Sequence, residues 1–271
     1  MKKILVPTDF SDNARWAVGY AAHLGNALGA QIDVLHAHTV TMPTGVYGQA
    51  SEFVERKMRA DMADLVRWME AQTHPELNPH PRIVIGHADD AIAELSPEYD
   101  LVVMGTRGQS DVERWLFGST TQAVLGRLRR PLLAIPPSCH FEKPEKVVLA
   151  LDEEGVRTAG QVAPLVQLLR PFSAHILVLH HDQGTDGTGL NGPLEEAFAD
   201  QSFSRHFDMG DEELWGAIQS FADHEKAQLI AMIRRQRTGL ERWFGRHETT
   251  RVLHRTDRPL LLIPEPKPAD G

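Results

Sequence analysis

The chain has 271 residues, of which 42% are hydrophobic and 24% are charged, and its formal net charge at pH 7 is −9. This length accommodates two domains of ordinary size, and the composition is that of a globular protein, which argues against disorder of the whole chain. The negative charge argues against a general nucleic-acid binder. The single cysteine, Cys139, excludes an internal disulfide framework and a multi-cysteine metal site. No segment reaches the ~20 apolar residues that span a bilayer.

The first half alternates short apolar runs with helical patterns. Its opening apolar stretch is too short for a secretory signal, so we expect a cytoplasmic protein. The net charge and the lack of long apolar runs lead us to expect no nucleic-acid or membrane partner. Runs of strand length occur at Lys3–Val6, Ile32–Leu35, Arg82–Ile85, Leu101–Met104 and Leu132–Ile135. Patterns of helical spacing occur at Asn13–Leu28, Ala50–Gln72, Ala91–Leu95 and Thr121–Leu128. This order predicts a parallel sheet covered by helices on both faces.

The first two helices carry more detailed expectations. Ser11 or Asp12 is the expected N-cap of the first helix, and Gly29 is expected to end it. The second helix is amphipathic, and its apolar side is expected to face the core. That side consists of Phe53, Val54, Met58, Met62, Leu65 and Met69.

The second half repeats the pattern of the first. Four segments return in the same order: 3–9 as 146–152, 33–36 as 177–180, 101–104 as 229–232, and 130–136 as 258–264. Repetition of this kind indicates two copies of one fold. We therefore expect an α/β protein of two tandem open parallel-sheet, Rossmann-like domains, packed as an internal pseudo-dimer. The expected boundaries are 1–137 for the first domain, 138–144 for a proline-flanked linker and 145–271 for the second domain.

A glycine-containing segment follows the apolar run Leu101–Met104. Gly105 and Gly108 are separated by two residues, nine residues follow, and Gly118–Thr120 stands where a helix begins. Ligands of open parallel sheets bind at the carboxyl ends of the strands, and a helix N-terminus favours a phosphate. Glycine lets the backbone approach such a group closely. The alternative interpretation is that these glycines only provide turn geometry. The spacing fits neither the P-loop nor the dinucleotide fingerprint.

This segment resembles the ATP-binding signature Gly-x-x-Gly-x9-Gly-Ser of the universal stress protein family. The opening residues 3–11 and the residues 130–133 resemble the first and last strands of that family. The resemblance extends over both halves, so it is to tandem two-domain members. It implies ATP, or ADP or AMP, as the ligand, with or without Mg²⁺, and a nucleotide-dependent role in stress response or signalling.

The resemblance also implies the contacts with the nucleotide. An acidic residue after the first strand contacts the nucleoside, the end of the second strand presents backbone to the adenine, and the glycine segment holds the phosphates. Asp9 has a second interpretation, as a cap of the first helix. The expected nucleotide-binding residues are Pro7, Thr8, Asp9, Ala37, Met104, Gly105, Arg107, Gly108, Gly118, Ser119 and Thr120.

The second half departs from this pattern. Ile233 and Gln236 stand where the first half has Gly105 and Gly108, and the later Gly-Ser-Thr is replaced by Gly245–His247. Side chains at the first two positions occupy the space that phosphates need. We therefore expect no ATP in the second domain by this mode, and expect the domain to pack against the first.

Three functions stay open on the sequence alone: a nucleotide-dependent signalling protein, a slow ATPase or autophosphorylating enzyme, and a nucleotide-free interaction scaffold. No general base or metal-binding carboxylate is evident beside the glycine segment, so we expect no catalytic residue. Protein partners are unknown. The assembly is expected to be a monomer with an internal pseudo-dimer, or a homodimer.

Two other groups of residues receive plainer interpretations. His36 and His38 alternate on a strand, and a histidine pair at 180–181 echoes them, but no third ligand is placed by spacing, so we expect no metal site. The arginines between positions 234 and 251 are interpreted as a solvated basic face, with binding of an anion or an acidic partner as the alternative.

Overall fold

The computed structural model describes residues 1–39, 49–73, 77–106, 119–152, 154–181, 191–208, 214–235 and 258–265. The strands in these residues are β1 (Lys3–Pro7), β2 (Gln31–His38), β3 (His80–Ile85), β4 (Leu101–Gly105), β5 (Leu132–Ile135), β6 (Lys146–Leu151), β7 (His175–His181), β8 (Phe203–Asp208), β9 (Leu229–Arg234) and β10 (Leu260–Pro264). The α-helices are α1 (Asp12–Leu28), α2 (Gln49–Gln72), α3 (Ala88–Leu95), α4 (Ser119–Arg127), α5 (Ala163–Leu169), α6 (Asn191–Ala197) and α7 (Leu214–Glu225). None of these described helices is long and apolar enough to cross a membrane.

All of these strands belong to one sheet, in the order β3-β2-β1-β4-β5-β10-β9-β6-β7-β8. Each half of the sheet is parallel and has the same internal order, read outward from the centre. The halves meet where β5 pairs antiparallel with β10 and Leu133 lies opposite Leu261. The predicted α/β class and repeated parallel sheet are confirmed. The two parallel sheets are joined edge to edge into one mixed sheet.

Two apolar layers cover the sheet, one on each face. The side chains of β1 alternate between them: Ile4 and Val6 lie in the layer formed with α1 and α2, and Leu5 lies in the layer formed with α3 and α4. Each layer continues into the second half, where Val147 and Val148 of β6 divide in the same way. Full burial of such side chains contributes about 1.5–3 kcal/mol each, so both layers stabilise the joined sheet along its length.

The ends of α1 follow the sequence expectations. Ser11 is the N-cap, and its Oγ accepts a hydrogen bond from the N–H of Ala14 at 3.1 Å. Gly29 ends the helix with φ 60° and ψ 36°, a left-handed conformation that favours glycine. Both expected signals are therefore confirmed.

The buried face of α2 differs from the apolar side predicted for this helix. Met62, Leu65 and Met69 are buried, and all three lie in the second half of α2. Phe53 is 64% exposed, so the expectation that it faces the core is wrong. Periodicity identifies the apolar side of a helix but not how far the core extends beneath it.

Arg234, at the end of β9, connects the second half of the chain to α4 of the first half. Its guanidinium donates hydrogen bonds to the carbonyl oxygens of Leu125 and Leu128, at the C-terminal end of that helix. The last carbonyl groups of a helix lack intrahelical partners, and a positive charge there is favoured by the helix dipole. Burial lowers the pKa of Arg234, which indicates partial removal of the guanidinium from water. The interpretation of the arginine run as a solvated face is wrong at this position.

We expect Arg234→Gln to lower the free energy of unfolding by about 1–3 kcal/mol, because two helix-end carbonyls lose a charged donor. Urea denaturation followed by circular dichroism measures the change. Arg59→Gln is the control, since Arg59 is exposed on α2 and its partner Glu55 is also exposed. A loss in the control as large as that in Arg234→Gln would contradict the assigned role.

Candidate functional site

The strand order reverses between β1 and β4, and this reversal creates a crevice at the carboxyl ends of the strands. β1 pairs in parallel with both β2 and β4, so all three strands end at the same edge of the sheet. Asp9 follows β1, Ala37 lies near the end of β2, and Gly105 is the last residue of β4. Residues far apart in the sequence therefore meet at one edge.

The turn between β1 and α1 is built from short polar side chains. The N–H of Phe10 donates to Oγ1 of Thr8 at 3.1 Å, and the N–H of Ser11 donates to Oδ1 of Asp9 at 3.0 Å. Phe10 has φ 62°, a conformation that a residue with a Cβ rarely adopts. Because Ser11 is the N-cap of α1, Asp9 supports the preceding turn and does not cap the helix itself.

His36 holds the end of β1 against β2. Its Nδ1 lies 2.9 Å from the carbonyl oxygen of Thr8, and a carbonyl only accepts, so Nδ1 carries the proton. Its ring packs on Phe10, with 4.4 Å between the ring centroids. Within the described ranges no three His, Cys, Asp or Glu side chains group as a metal site would require. The sequence pattern of His36 and His38 suggests only a metal ligand, and the packing of His36 on Phe10 depends on the tertiary structure.

The first turn of α4 is attached to the end of β4. Oγ1 of Thr121 donates to the carbonyl oxygen of Gly105 at 3.4 Å, and Thr121 is buried. The N–H of the next residue, Thr106, donates to the carbonyl oxygen of Ile135 on β5. The first N–H groups of α4, which begins at Ser119, therefore lie beside the carboxyl end of β4 with no intrahelical acceptors. The third hydroxyl in Ser-Thr-Thr is the sequence signal for Thr121, which is not among the predicted site residues.

The other end of α4 is also held. Arg127 donates to Oδ1 of Asp90 on α3 at 2.5 Å, and its Nη1 lies 3.5 Å from Oδ2 of Asp89. Arg127 and Arg234 hold the C-terminal end of α4, and the Thr121 hydroxyl holds its first turn. The helix is thereby presented to the crevice in one orientation.

The sequence-predicted site residues divide into two groups. Pro7, Thr8 and Met104 are buried, whereas Asp9, Ala37, Gly105 and Thr120 are half-buried; all seven lie in the described part of the chain. Ser119 begins α4. The remaining predicted residues, which lie outside the described ranges, are Arg107, Gly108 and Gly118.

The counterpart crevice of the second half contains a buried ion pair. Asp152 follows β6 as Asp9 follows β1, and Arg235 binds both of its carboxylate oxygens, Nε to Oδ2 at 2.9 Å and Nη2 to Oδ1 at 2.8 Å. Nη1 of Arg235 also lies 3.2 Å from Oε1 of Glu265, and the arginine side chain is only 4% exposed. The interpretation of Arg235 as part of a solvated face is therefore also wrong.

This ion pair changes what the second crevice can bind. The carboxylate that corresponds to Asp9 is held by a bidentate arginine, and a ribose hydroxyl would have to displace that arginine. Ile233 is buried in the core layer where the first half has Gly105. Both observations support the expectation that the second half does not bind a nucleotide in this manner. Gln236 and Gly245–His247 lie outside the described residues.

We expect Asp152→Asn to lower the free energy of unfolding by about 1–3 kcal/mol, because the buried guanidinium of Arg235 loses its bidentate carboxylate and keeps weaker partners. Thermal and urea denaturation measure the loss. Asp200→Asn is the matched control, since Asp200 is exposed. Unchanged stability in Asp152→Asn would show that the ion pair contributes nothing to the fold.

The comparisons with known proteins agree with this architecture. The sequence model of the universal stress protein family matches residues 1–136. A universal stress protein of Synechocystis sp. is 22% identical over 290 residues, which cover 97% of this chain and 100% of that protein. One of Thermus aquaticus is 33% identical over 138 residues, 49% of this chain and 98% of that protein. A solved universal stress protein of Archaeoglobus fulgidus matches 97% of this chain and 98% of its own, with TM-score 0.76 at 19% identity.

Proposed function

The chain belongs to the universal stress protein family, and from that premise we propose that its first half binds ATP, or ADP or AMP, in the crevice between β1 and β4. The observation that carries the proposal is the hydrogen bond from Thr121 to the carbonyl of Gly105. That bond attaches the N-terminus of α4, a position that favours phosphate, to the end of the strand that borders the crevice.

The nucleoside occupies the end nearer β1 and β2 in this proposal. The carboxylate of Asp9 accepts hydrogen bonds from the ribose hydroxyls, and the hydrogen bonds within the Thr8–Ser11 turn support its orientation. Main-chain groups at Ala37 read the edge of the adenine. Pro7 and Met104 supply apolar surface for the nucleoside.

The phosphates occupy the end nearer β4 and α4. Gly105, Gly108 and Gly118 allow close approach of the backbone, and the hydroxyls of Ser119 and Thr120 add donors at the helix start. Arg107 balances the negative charge of the phosphates, and Mg²⁺ that accompanies ATP also balances this charge. Because hydrogen bonds hold α4 at both ends, little ordering of the helix is required when the ligand binds.

We further propose that nucleotide occupancy is a signal that protein partners read. The second half supports this role without a nucleotide of its own, because Arg235 neutralises Asp152 and Arg234 holds α4. The nucleotide site and the contact between the two halves therefore share one helix. The proposed activity is stress-response signalling that depends on the nucleotide state.

Calorimetric titration of the nucleotide-stripped, full-length chain with ATP and Mg²⁺ tests the proposal. We expect one site per chain, since Arg235 binds both carboxylate oxygens of Asp152, the acidic side chain of the second crevice. Two sites would contradict the assignment of the second half. The absence of heat, together with no competition against a fluorescent ATP analogue, would overturn nucleotide binding and favour the scaffold.

We expect Asp9→Asn to weaken ATP binding about 10- to 100-fold, because a charged acceptor for the ribose hydroxyls is lost. The same titration measures the change. Asp152→Asn is the matched control at the counterpart position, and its affinity for ATP should stay unchanged at a temperature where the variant is folded. Equal weakening in both variants would contradict the one-site assignment.

A further inference from the structure

A second cavity lies away from the nucleotide crevice, on the side of the sheet covered by α1 and α2. Its volume is about 580 Å³, within the range of small-ligand sites. It is bounded by α1, by the C-terminal part of α2 and by residues 139–141, which join the two halves of the chain. Nothing in the proposed nucleotide function uses this cavity.

Aromatic rings form most of the cavity wall. Trp16 and Tyr20 come from α1, Trp68 from α2, and Phe141 from the joining segment. The Tyr20 and Phe141 rings meet edge to face with 5.3 Å between centroids, and Trp16 meets the ring of His140 in the same way at 4.9 Å. A cavity with such walls is suited to a flat aromatic ring, which stacks on these side chains or meets them edge to face.

The hydroxyl of Tyr20 has no hydrogen-bond partner among the described residues, although the residue is only 6% exposed and lines the cavity. The described polar atoms that are fully buried without a partner do not include this oxygen, so solvent reaches it. Burial raises the pKa of Tyr20 well above its usual value, with nearby Cys139 and Glu142 acting in the same direction. The hydroxyl is therefore protonated at neutral pH, and Tyr20 lines both this cavity and an adjoining polar pocket that contains Glu142.

The charged groups at the cavity are of both signs. The guanidinium of Arg15 lies over the ring of Trp68, 5.4 Å from its centroid, and no described carboxylate pairs with it. Asp12 stands exposed one turn earlier on α1, and His23 and Gln72 complete the polar part of the wall. Since Tyr20 and Arg15 are both donors without acceptors in the described structure, the cavity favours an anionic oxygen on its ligand.

We propose that this cavity binds a planar aromatic carboxylate. The ring packs between the aromatic side chains of α1, α2 and the joining segment, and a carboxylate oxygen accepts from the hydroxyl of Tyr20. Arg15 contributes the positive charge that distinguishes a carboxylate from an amine. Because Phe141 belongs to the segment between the two halves, a ligand that packs on its ring also stabilises that segment.

The probe for the test is 2-naphthoate, added to the full-length chain saturated with ATP and Mg²⁺ and, separately, to the nucleotide-free chain. Cys139 is the only cysteine of the chain and lines this cavity, so its alkylation by iodoacetamide reports occupancy. We expect one calorimetric site and about a tenfold slower alkylation at a probe concentration about ten times Kd. The same result with and without nucleotide separates this site from the nucleotide site.

The control ligand is 2-naphthylmethylamine, which keeps the ring and reverses the charge. We expect it to bind at least about tenfold more weakly, since it offers no acceptor to Tyr20 and is repelled by Arg15. Equal affinity for the amine would overturn the proposed charge recognition. No heat and no protection of Cys139 at millimolar 2-naphthoate would overturn the site.

Two variants test the assigned donors. Tyr20→Phe should weaken 2-naphthoate about tenfold without lowering the melting temperature, because the hydroxyl has no described protein partner to lose. Arg15→Gln should weaken 2-naphthoate severalfold, whereas Arg56→Gln, on the exposed face of α2, should leave it unchanged. Unchanged affinity in both Tyr20→Phe and Arg15→Gln would contradict the proposal even if the probe binds.

Discussion

The antiparallel pairing of β5 with β10 is the contact on which the rest of the structure depends. Each half of the chain would otherwise end in an edge strand with unpaired backbone groups, a surface that natural sheets avoid exposing. The pairing satisfies both edges at once and makes the two apolar layers continuous across the junction. It also brings β9 within reach of the first half, so that the guanidinium of Arg234 meets the end of α4.

Two adjacent arginines, Arg234 and Arg235, distinguish the second half of the chain from the first. Successive side chains of an extended chain point to opposite sides, so Arg234 and Arg235 act in different places. The first binds carbonyl groups of α4, and the second binds Asp152 inside the crevice that corresponds to the proposed nucleotide site. The repeated fold therefore has two distinct crevices: one bordered by Asp9 and a helix N-terminus, the other occupied by an ion pair.

Helix α4 connects the architecture with the proposed function. Its first turn is tied to Gly105 by Thr121, its last turn to Asp90 by Arg127, and its final carbonyls to the second half of the chain. In the proposed function, a phosphate at its N-terminus and the guanidinium of Arg234 at its C-terminus act on the same dipole, so this helix would link the state of the first crevice to the contact between the halves.

The sequence by itself determined what depends on local pattern. The repeat, the strand and helix order of the first half, the Ser11 cap, the Gly29 stop and the position of Asp9 after β1 all follow from residue type and spacing over a few turns. The tertiary structure alone decided the contacts between distant segments, namely the β5–β10 pairing, the hydrogen bonds of Arg234 and the ion pair of Arg235, and it decided the exposure of Phe53. The sequence of a strand does not show which strand pairs with its edge, and an arginine in a sequence does not show which group it binds. Their partners are chosen only when the sheet order brings distant residues into contact, as it does for Asp152 and Arg235 at a separation of 83 and for Leu125 and Arg234 at a separation of 109.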